Sequence, residues 1–278
     1  MTDTVTTMGR SIVQHGPLNN RAYLMSPHPE DVPWIVEKLY KLASTKGYSK
    51  ILARIPASME RIFLESRYVR EAVVPGYLIS GEALLFVSRF LRKSRGRENY
   101  PDRVAQNFAL IEKHTRHHHV RRSDLPAIRL CKKNDRVEIA QLFRQVFASY
   151  PFPVDDPEYL THTMASHTRY YCTTENGRIV GVCASEMDMD NLAVEMTDFA
   201  VVPEMRGRGL AAYLLAEMER DMCSRGMRTA FTIARTLSPG MNLIFKQMNY
   251  RWGGTLVNNT NISGGIESMW VWHKRLEK

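Results

Sequence analysis

The sequence predicts an α/β (α+β) protein built on a mixed central sheet flanked by helices. Through the second half of the chain, apolar strand-like runs alternate with segments of helical period. Residues 192–202 read as a strand that ends at Pro203 and passes through a basic glycine turn into a long helix, the opening of a strand–helix–strand unit. The first half repeats part of the same order.

The elements follow in chain order. Arg121-Arg122-Ser123-Asp124-Leu125-Pro126 is charged, polar and then punctuated by proline, as a boundary would be, and divides the chain into 1–122 and 123–278. Beyond it, 127–131 reads as a strand. Residues 135–149 read as a helix with Val137, Ala140, Leu142, Phe143, Val146 and Phe147 on its apolar side. Strands 169–173 and 179–186 are joined across Glu175-Asn176-Gly177, a hairpin signal. Strand 192–202, helix 209–224, strand 228–235, helix 238–248 and closing strands 253–257 and 268–275 complete this half. In the first half, 37–55 reads as helix, glycine, basic residue, strand, and its end GYSKILARI parallels GMRTAFTIA within 218–234. Ile62-Phe63 and Tyr68 then align with Ile244-Phe245 and Tyr250 at one constant offset, and strands 69–79 and 83–90 follow. An internal duplication is expected, although any two strand–helix–strand units share some of this. The first copy has no glycine-rich loop before its helix, so it cannot bind a pyrophosphate in the same way.

Composition sets the class. At 278 residues the chain can bury two cores, and 44% apolar with 24% charged residues is ordinary for a globular protein. No run reaches the roughly 20 apolar residues of a membrane helix, and MTDTVTTMGRSIVQHG lacks the apolar core of a secretory signal. Cys131, Cys172, Cys183 and Cys223 are scattered without a CxxC pair, as expected of reduced thiols in a cytoplasmic protein. Net charge is +9, and from Arg89 to Arg122 ten Lys or Arg face three acids. Such a stretch could contact nucleic acid or a nucleotide phosphate. A solvated helix face with a linker is the commoner origin, so nucleic acid is not an expected partner; a homodimer is left open. His114, His117, His118 and His119 have no Cys or acidic ligand in a metal-binding spacing around them, and no metal is expected.

The stretch that carries chemistry is Thr197-Asp198-Phe199-Ala200-Val201-Val202-Pro203-Glu204-Met205-Arg206-Gly207-Arg208-Gly209-Leu210-Ala211. Glycines let a backbone approach a ligand closely, and the first N–H groups of a helix have no internal partner. Together they form an anion site, to which Arg206 and Arg208 add charge. Neither GxxxxGK[ST] nor GxGxxG occurs, which argues against a nucleotide triphosphatase and a Rossmann site.

Arg206-Gly207-Arg208-Gly209-Leu210-Ala211 resembles the acetyl-CoA signature of the GNAT N-acetyltransferases, R/Q-x-x-G-x-G/A, and the preceding Val-Pro and following apolar helix fit that family. The resemblance implies a GNAT fold for 123–278, a degenerate partial GNAT repeat with a basic linker for 1–122, and acetyl-CoA as cosubstrate. It implies that Arg206 to Ala211 hold the pyrophosphate. It assigns Phe199, Ala200 and Val201 to cofactor contacts along a strand splayed from its neighbour. Glu195, eleven residues before Arg206, stands where many GNAT enzymes carry a glutamate base. Such a group is needed because a lysine-type amine of pKa about 10.4 is almost fully protonated at neutral pH. Glu195 could instead face solvent or bind the amine, and Asp198 competes for the role; on a regular strand Asp198 would point the other way. Where the family often places a tyrosine acid this chain has Phe245, leaving Tyr250 or a water to protonate the departing thiolate.

GGTLVNNTNI…IESMWVW near the end, TIARTLSPGMN at 232–242, YPFPVDDPEYL at 150–160 and HGPLNNRAYLM at 15–25 are similar to the beta-lysine N-acetyltransferase family, so the resemblance spans nearly the whole chain. It implies acetylation of the terminal amine of beta-lysine by direct attack in a ternary complex, giving N-epsilon-acetyl-beta-lysine, in some microbes a compatible solute. Such a substrate has two amines and a carboxylate. Glu195, Asp198 and Glu267 could meet the amines, while Arg235 could clamp the carboxylate with Asn242, Asn258 and Asn259 orienting it. Equally, Arg235 could be a structural surface residue and the asparagine run a turn. Two alternatives stay open: acetylation of another amine (polyamine, aminoglycoside or protein lysine), and a non-catalytic acyl-CoA sensor whose basic segment binds nucleic acid.

Overall fold

The computed structural model describes residues 3–32, 34–114 and 125–277. Arg121 to Asp124 of the expected boundary, His117 to His119, and Arg116 lie outside the described residues.

The chain runs β1 (Thr4–Met8), β2 (Ser11–Gly16), β3 (Arg21–Ser26), α1 (Trp34–Lys46), β4 (Lys50–Pro56), α2 (Glu60–Glu65), β5 (Val69–Val74), β6 (Leu84–Phe90) and α3 (Pro101–Lys113). It continues with β7 (Ile128–Leu130), α4 (Arg136–Val146), α5 (Pro157–Met164), β8 (Thr168–Glu175), β9 (Arg178–Asp188), β10 (Ala193–Val201), α6 (Leu210–Ser224), β11 (Thr229–Arg235), α7 (Pro239–Gln247), β12 (Arg251–Ile262) and β13 (Gly265–Arg275). All of these strands join one mixed sheet in the order β1-β2-β3-β4-β6-β5-β12-β13-β11-β10-β9-β8-β7.

Apart from β7, which adds an outer strand beside β8, the two halves of the sheet repeat one order. β1, β2 and β3 are antiparallel, β3 pairs parallel with β4 across α1, and β4, β6 and β5 are antiparallel with α2 inserted between β4 and β5. In the second half β8, β9 and β10 are antiparallel, β10 pairs parallel with β11 across α6, and β11, β13 and β12 follow with α7 inserted. The halves meet where β5 and β12 pair antiparallel at Gly254 and Ala72. Their backbones approach so closely there that a Cβ on Gly253 would lie 2.3 Å from Val73 O, and one on Gly254 2.2 Å from Glu71 O. The Gly-Gly pair is therefore a packing requirement of the central seam.

The seam is also a shared core. Tyr23, Leu52 and Phe86 from the first half pack with Phe231, Leu256, Met269 and Val271 from the second. Each fully buried apolar side chain contributes about 1.5–3 kcal/mol, enough in sum to hold the halves in one body. Lys50 of β4 pins the junction: Nζ donates to Glu71 Oε2 and to Val257 O, both at 2.7 Å, while Val257 N donates to Glu71 Oε1 at 2.7 Å. Burial pushes the Lys50 pKa down to about 8 against the opposing pull of Glu71. α3 begins at a favourable N-terminal proline and buries Ile111 in the second half's core, with Phe108 edge-on to Trp252 and Trp270. Within the basic stretch, Arg95 is buried and donates to Ser49 Oγ and Asn19 O, and Arg89 stacks over Tyr40 at 4.0 Å. Part of that charge is thus structural rather than a solvated face. No helix among the described residues is long and apolar enough to cross a membrane.

Two segments depart from expectation. β12 continues to Ile262, so the asparagine run lies in a strand and not in a turn; Asn258 takes φ +43° at an irregularity between Leu256 and Thr260. Asparagine tolerates that left-handed conformation, so the same preference that suggested a turn serves a bulge. β1 to β3 have no counterpart in the sequence reading.

Candidate active site

β10 forms the centre of the site. It pairs with β9 from Ala193 to Val201 but with β11 only over Ala193, Val194 and Glu195. Past Glu195 the parallel strands diverge, and the β11-facing edge of β10 borders a gap. Peptide groups along such an edge need partners and are available to an extended ligand. A bulge between Thr197 and Ala200 accompanies the divergence, with Asp198 at φ +55°. The bulge corrects the expectation from strict alternation: Glu195 and Asp198 do not face opposite sides but line one cavity of about 780 Å³. Phe199 and Val201 line it too, whereas Ala200 is 1% exposed and packs into the core around α4, away from the cavity.

Beyond Pro203 the chain turns into α6 through Gly207 at φ +77° and Gly209 at φ +84°. A Cβ on Gly207 would meet nothing within 4 Å, so this glycine answers to backbone conformation and leaves its surface open. Tyr213 N bonds to Gly209 O at 3.0 Å, so the amides of the residues between them have no carbonyl partner within the helix. Arg206, Gly207, Gly209, Leu210 and Ala211 all line the cavity, so this end carries the open amides and positive charge that suit an anion. Arg208 does not; its Nη1 reaches Glu175 at 3.4 Å on the outer surface.

The opposite wall is acidic. Glu195 and Asp198 share it with Glu186 of β9, and Arg54 of β4 faces them from the first half, its Nε donating to Met25 O at 3.0 Å. Burial first, then the charge of Glu186, pushes the Glu195 pKa up to about 8, while Arg54 pulls it back. Burial likewise lifts Asp198 to about 6, opposed by the Tyr150 hydroxyl, which donates to Asp198 Oδ1 at 2.6 Å. Two carboxylates that change charge near neutrality, in a cavity, can bind a cation or move a proton.

Several expected residues serve structure instead. Tyr250 is off the cavity wall; its ring is buried against Phe245 and under Lys274, so it cannot reach a leaving group. Phe245 itself lines the cavity, edge-on to Phe199. Asn242 is buried and ties the β11–α7 turn, donating to Arg235 O and Ser238 O and accepting from Trp272 Nε1. Asn258 spends its amide on Arg95 O, Arg97 O and Asn99 N. Arg235 lines the cavity, but Glu267 grips its Nε and Nη2 at 3.0 and 2.7 Å, so the Glu267 carboxylate is paired and off the wall, and the strongest donor edge of Arg235 is occupied. Asn259 alone of the asparagines lines the cavity.

Sequence reasoning missed Tyr150, Glu186 and the first-half residues Arg21, Tyr23 and Arg54, all on the cavity wall. Tyr150 opens the quoted segment YPFPVDDPEYL, and a signal was present there; nothing local marks the other half's residues. Among the described residues, Cys131, Asp135 and Cys172 bring potential metal-ligating atoms within 4.8 Å of one another. Asp135 there is already held by Arg129 at 2.6 and 3.0 Å and by Lys132 N at 2.6 Å.

Residues 137–242 match the Acetyltransferase (GNAT) family. Over 267 residues the chain is 34% identical to the Beta-lysine N(6)-acetyltransferase of Methanococcus maripaludis, covering 96% of this chain and 97% of that protein. It is 31% identical to N-acetyltransferase YodP of Bacillus subtilis, covering 84% and 85%, and 27% identical to the Beta-lysine N(6)-acetyltransferase of Methanosarcina mazei, covering 87% and 97%. A splayed strand, a glycine turn into a helix and full-length similarity agree: the chain belongs to the GNAT acetyltransferases, in the beta-lysine N(6)-acetyltransferase family, and is an N-acetyltransferase.

Proposed function

We propose that the protein acetylates the terminal amine of beta-lysine with acetyl-CoA, giving N-epsilon-acetyl-beta-lysine by direct attack in a ternary complex. The observation that carries this is the acidic wall, where Glu186, Glu195 and Asp198 stand together opposite Arg54, with His167 Nε2 3.4 Å from Glu186 Oε1 at its edge. Burial and the charge of Glu186 raise the pKa of both Glu195 and Asp198, a strain that a bound ammonium relieves. Full-length similarity to proteins named for beta-lysine supports the same substrate.

Acetyl-CoA supplies the acetyl group as a thioester. The residues present suit it: the unpaired edge of β10 past Glu195 offers amides to a pantetheine arm, and Arg206, Gly207, Gly209, Leu210 and Ala211 offer donors and charge to its phosphates. Glu195 is the proposed base. Its carboxylate, directly or through a water, takes a proton from the substrate ammonium, which otherwise cannot attack. Asp198, fixed by Tyr150, holds the ammonium in place. With Phe245 on the wall and Tyr250 behind it, no tyrosine of α7 or its C-terminal end donates to the departing thiolate, and a water is the proposed donor; a thiolate of pKa about 8.5 leaves tolerably without more. No step needs a metal. The first half is proposed to be a degenerate GNAT repeat whose β3 and β4 form the wall that faces the acids, in a cytoplasmic enzyme.

Regiochemistry tests this. NMR of the product should place the acetyl group on the terminal nitrogen of beta-lysine. Acetylation of the amine next to the carboxylate end would reverse the proposed orientation, and no product would remove the substrate.

A further inference from the structure

One end of the cavity is not explained by the acidic wall. Arg21 of β3 lines it and is only 3% exposed, yet all its hydrogen bonds go to neutral acceptors. Nη1 donates to Asn259 O at 2.8 Å and to Thr260 Oγ1 at 3.4 Å, Nη2 donates to Gln14 Oε1 at 3.4 Å, and Nε has no partner. The other cations nearby are compensated: Lys50 by Glu71, Arg235 by Glu267, and Arg54 by the acids it faces. Arg95 is similarly buried without an acid, but it does not reach the cavity. Burial lowers the Arg21 pKa to about 10, outweighing the pull of the Asp3 and Glu71 carboxylates, neither of which is hydrogen-bonded to it.

Beside Arg21 stands a matching acceptor. Asn259 is 2% exposed and lines the same cavity; its Nδ2 donates to Thr260 Oγ1 at 3.2 Å, and its Oδ1 has no partner. A buried donor and a buried acceptor, adjacent and both unsatisfied, are rare unless something completes them. Tyr23 separates this pair from the acidic wall. Its ring lies 5.0 Å from the Arg21 guanidinium, and it lines the cavity together with Glu195 and Glu186. The two ends are thus one tyrosine apart.

We infer that Arg21 and Asn259 form the specificity site for the substrate's carboxylate end: Arg21 takes the carboxylate, and Asn259 Oδ1 accepts from the amine on the second carbon from it. This rests on the proposed substrate. It moves the carboxylate clamp from Arg235, whose strong edge Glu267 occupies, to a residue of the first half. An α-amino acid sets its amine one carbon closer to the carboxylate and does not span the same donor and acceptor. Arg21 of the first half and Asn259 of the second therefore choose the substrate together, while the acidic wall of the second half performs the transfer.

The test is kcat/KM for beta-lysine and for its neutral carboxamide, 3,6-diaminohexanamide, in the wild type and in Arg21→Met. A hydrogen bond to a charged group is worth roughly 10- to 100-fold. The wild type should prefer beta-lysine by about that factor. Arg21→Met should bring the two substrates within about threefold of each other, mainly through KM, with acetyl-CoA affinity unchanged. Asn259→Leu provides a check that leaves Arg21 in place: it should weaken turnover of beta-lysine but spare 6-aminohexanoate, which lacks the second amine. A discrimination ratio that survives Arg21→Met, or a wild type indifferent to the carboxylate, overturns the inference while leaving the acetylation of beta-lysine standing. A wild type that acetylates neither compound but turns over another amine removes the substrate itself, and this site with it.

Discussion

Replacing Glu195 with glutamine separates the proposed base from every other role of that wall. With its pKa near 8, Glu195 is a carboxylate in about one molecule in ten at pH 7 and nine in ten at pH 9. If it takes the proton from the substrate ammonium, wild-type kcat/KM should climb about tenfold between those pH values. It should level off and then fall above about pH 10.4, as the substrate loses the proton the base would take. Glu195→Gln can use only amine that is already neutral, so its kcat/KM should climb about 100-fold over the same interval, one decade per pH unit. The variant's deficit, about 10²–10⁴-fold where the base is ionised, should therefore shrink about tenfold from pH 7 to pH 9 and further by pH 10. Initial rates of CoA release at subsaturating beta-lysine give both profiles. Parallel profiles, with the same deficit at every pH, would refute the assignment of Glu195 as base.

The same substitution should stabilise the protein. The folded chain releases the Glu195 proton near pH 8 and an ordinary glutamate near 4.5, so the stability this group contributes is present below about pH 4.5 and lost as pH rises to 8. Glu195→Gln should thus raise stability at pH 8 by on the order of a few kcal/mol at most, read as a higher Tm, and leave it unchanged near pH 4; a lower Tm at pH 8 would show that the carboxylate is not strained. Glu71→Gln should cost about 3–5 kcal/mol at pH 7 by stranding the Lys50 ammonium, roughly 5–10 °C in Tm, and less at pH 9, where Lys50 is neutral. Equal loss at both pH values would mean that hydrogen bonds rather than charge hold the seam. Gly209→Asp should weaken acetyl-CoA binding at least tenfold by placing bulk and negative charge where the phosphates are expected, read by calorimetry; unchanged affinity would displace the phosphate cradle.

What could be read from the sequence was what depends on neighbours along the chain. The glycine turn into α6 was legible because Gly207 and Gly209 must adopt left-handed backbone angles and sit before an apolar helix. Glu195 was legible by its spacing from that turn. Asp198 was placed on the wrong side because its position depends on a bulge, and no local residue pattern announced it. Glu267 and Arg235 were both marked as substrate ligands; each is a plausible ligand alone, and only the fold brings them together to satisfy each other. Arg21 and Arg54 were invisible because strands of the first half reach the cavity only through the β5–β12 seam. Their partners lie far away along the chain, as in the Arg21 bond to Asn259 O. The repeated order of the halves was partly legible, since α1 and β4 kept the helix–glycine–strand pattern, but β1 to β3 carried no such mark.

Acetyl transfer to beta-lysine is read by CoA thiol release. Purified protein with acetyl-CoA would be given beta-lysine, alpha-lysine, spermidine and an aminoglycoside in parallel, and kcat/KM compared. Beta-lysine should exceed each of the others by at least about tenfold, the discrimination expected of one buried charged contact. Equal or faster turnover of spermidine, which has no carboxylate, would contradict it.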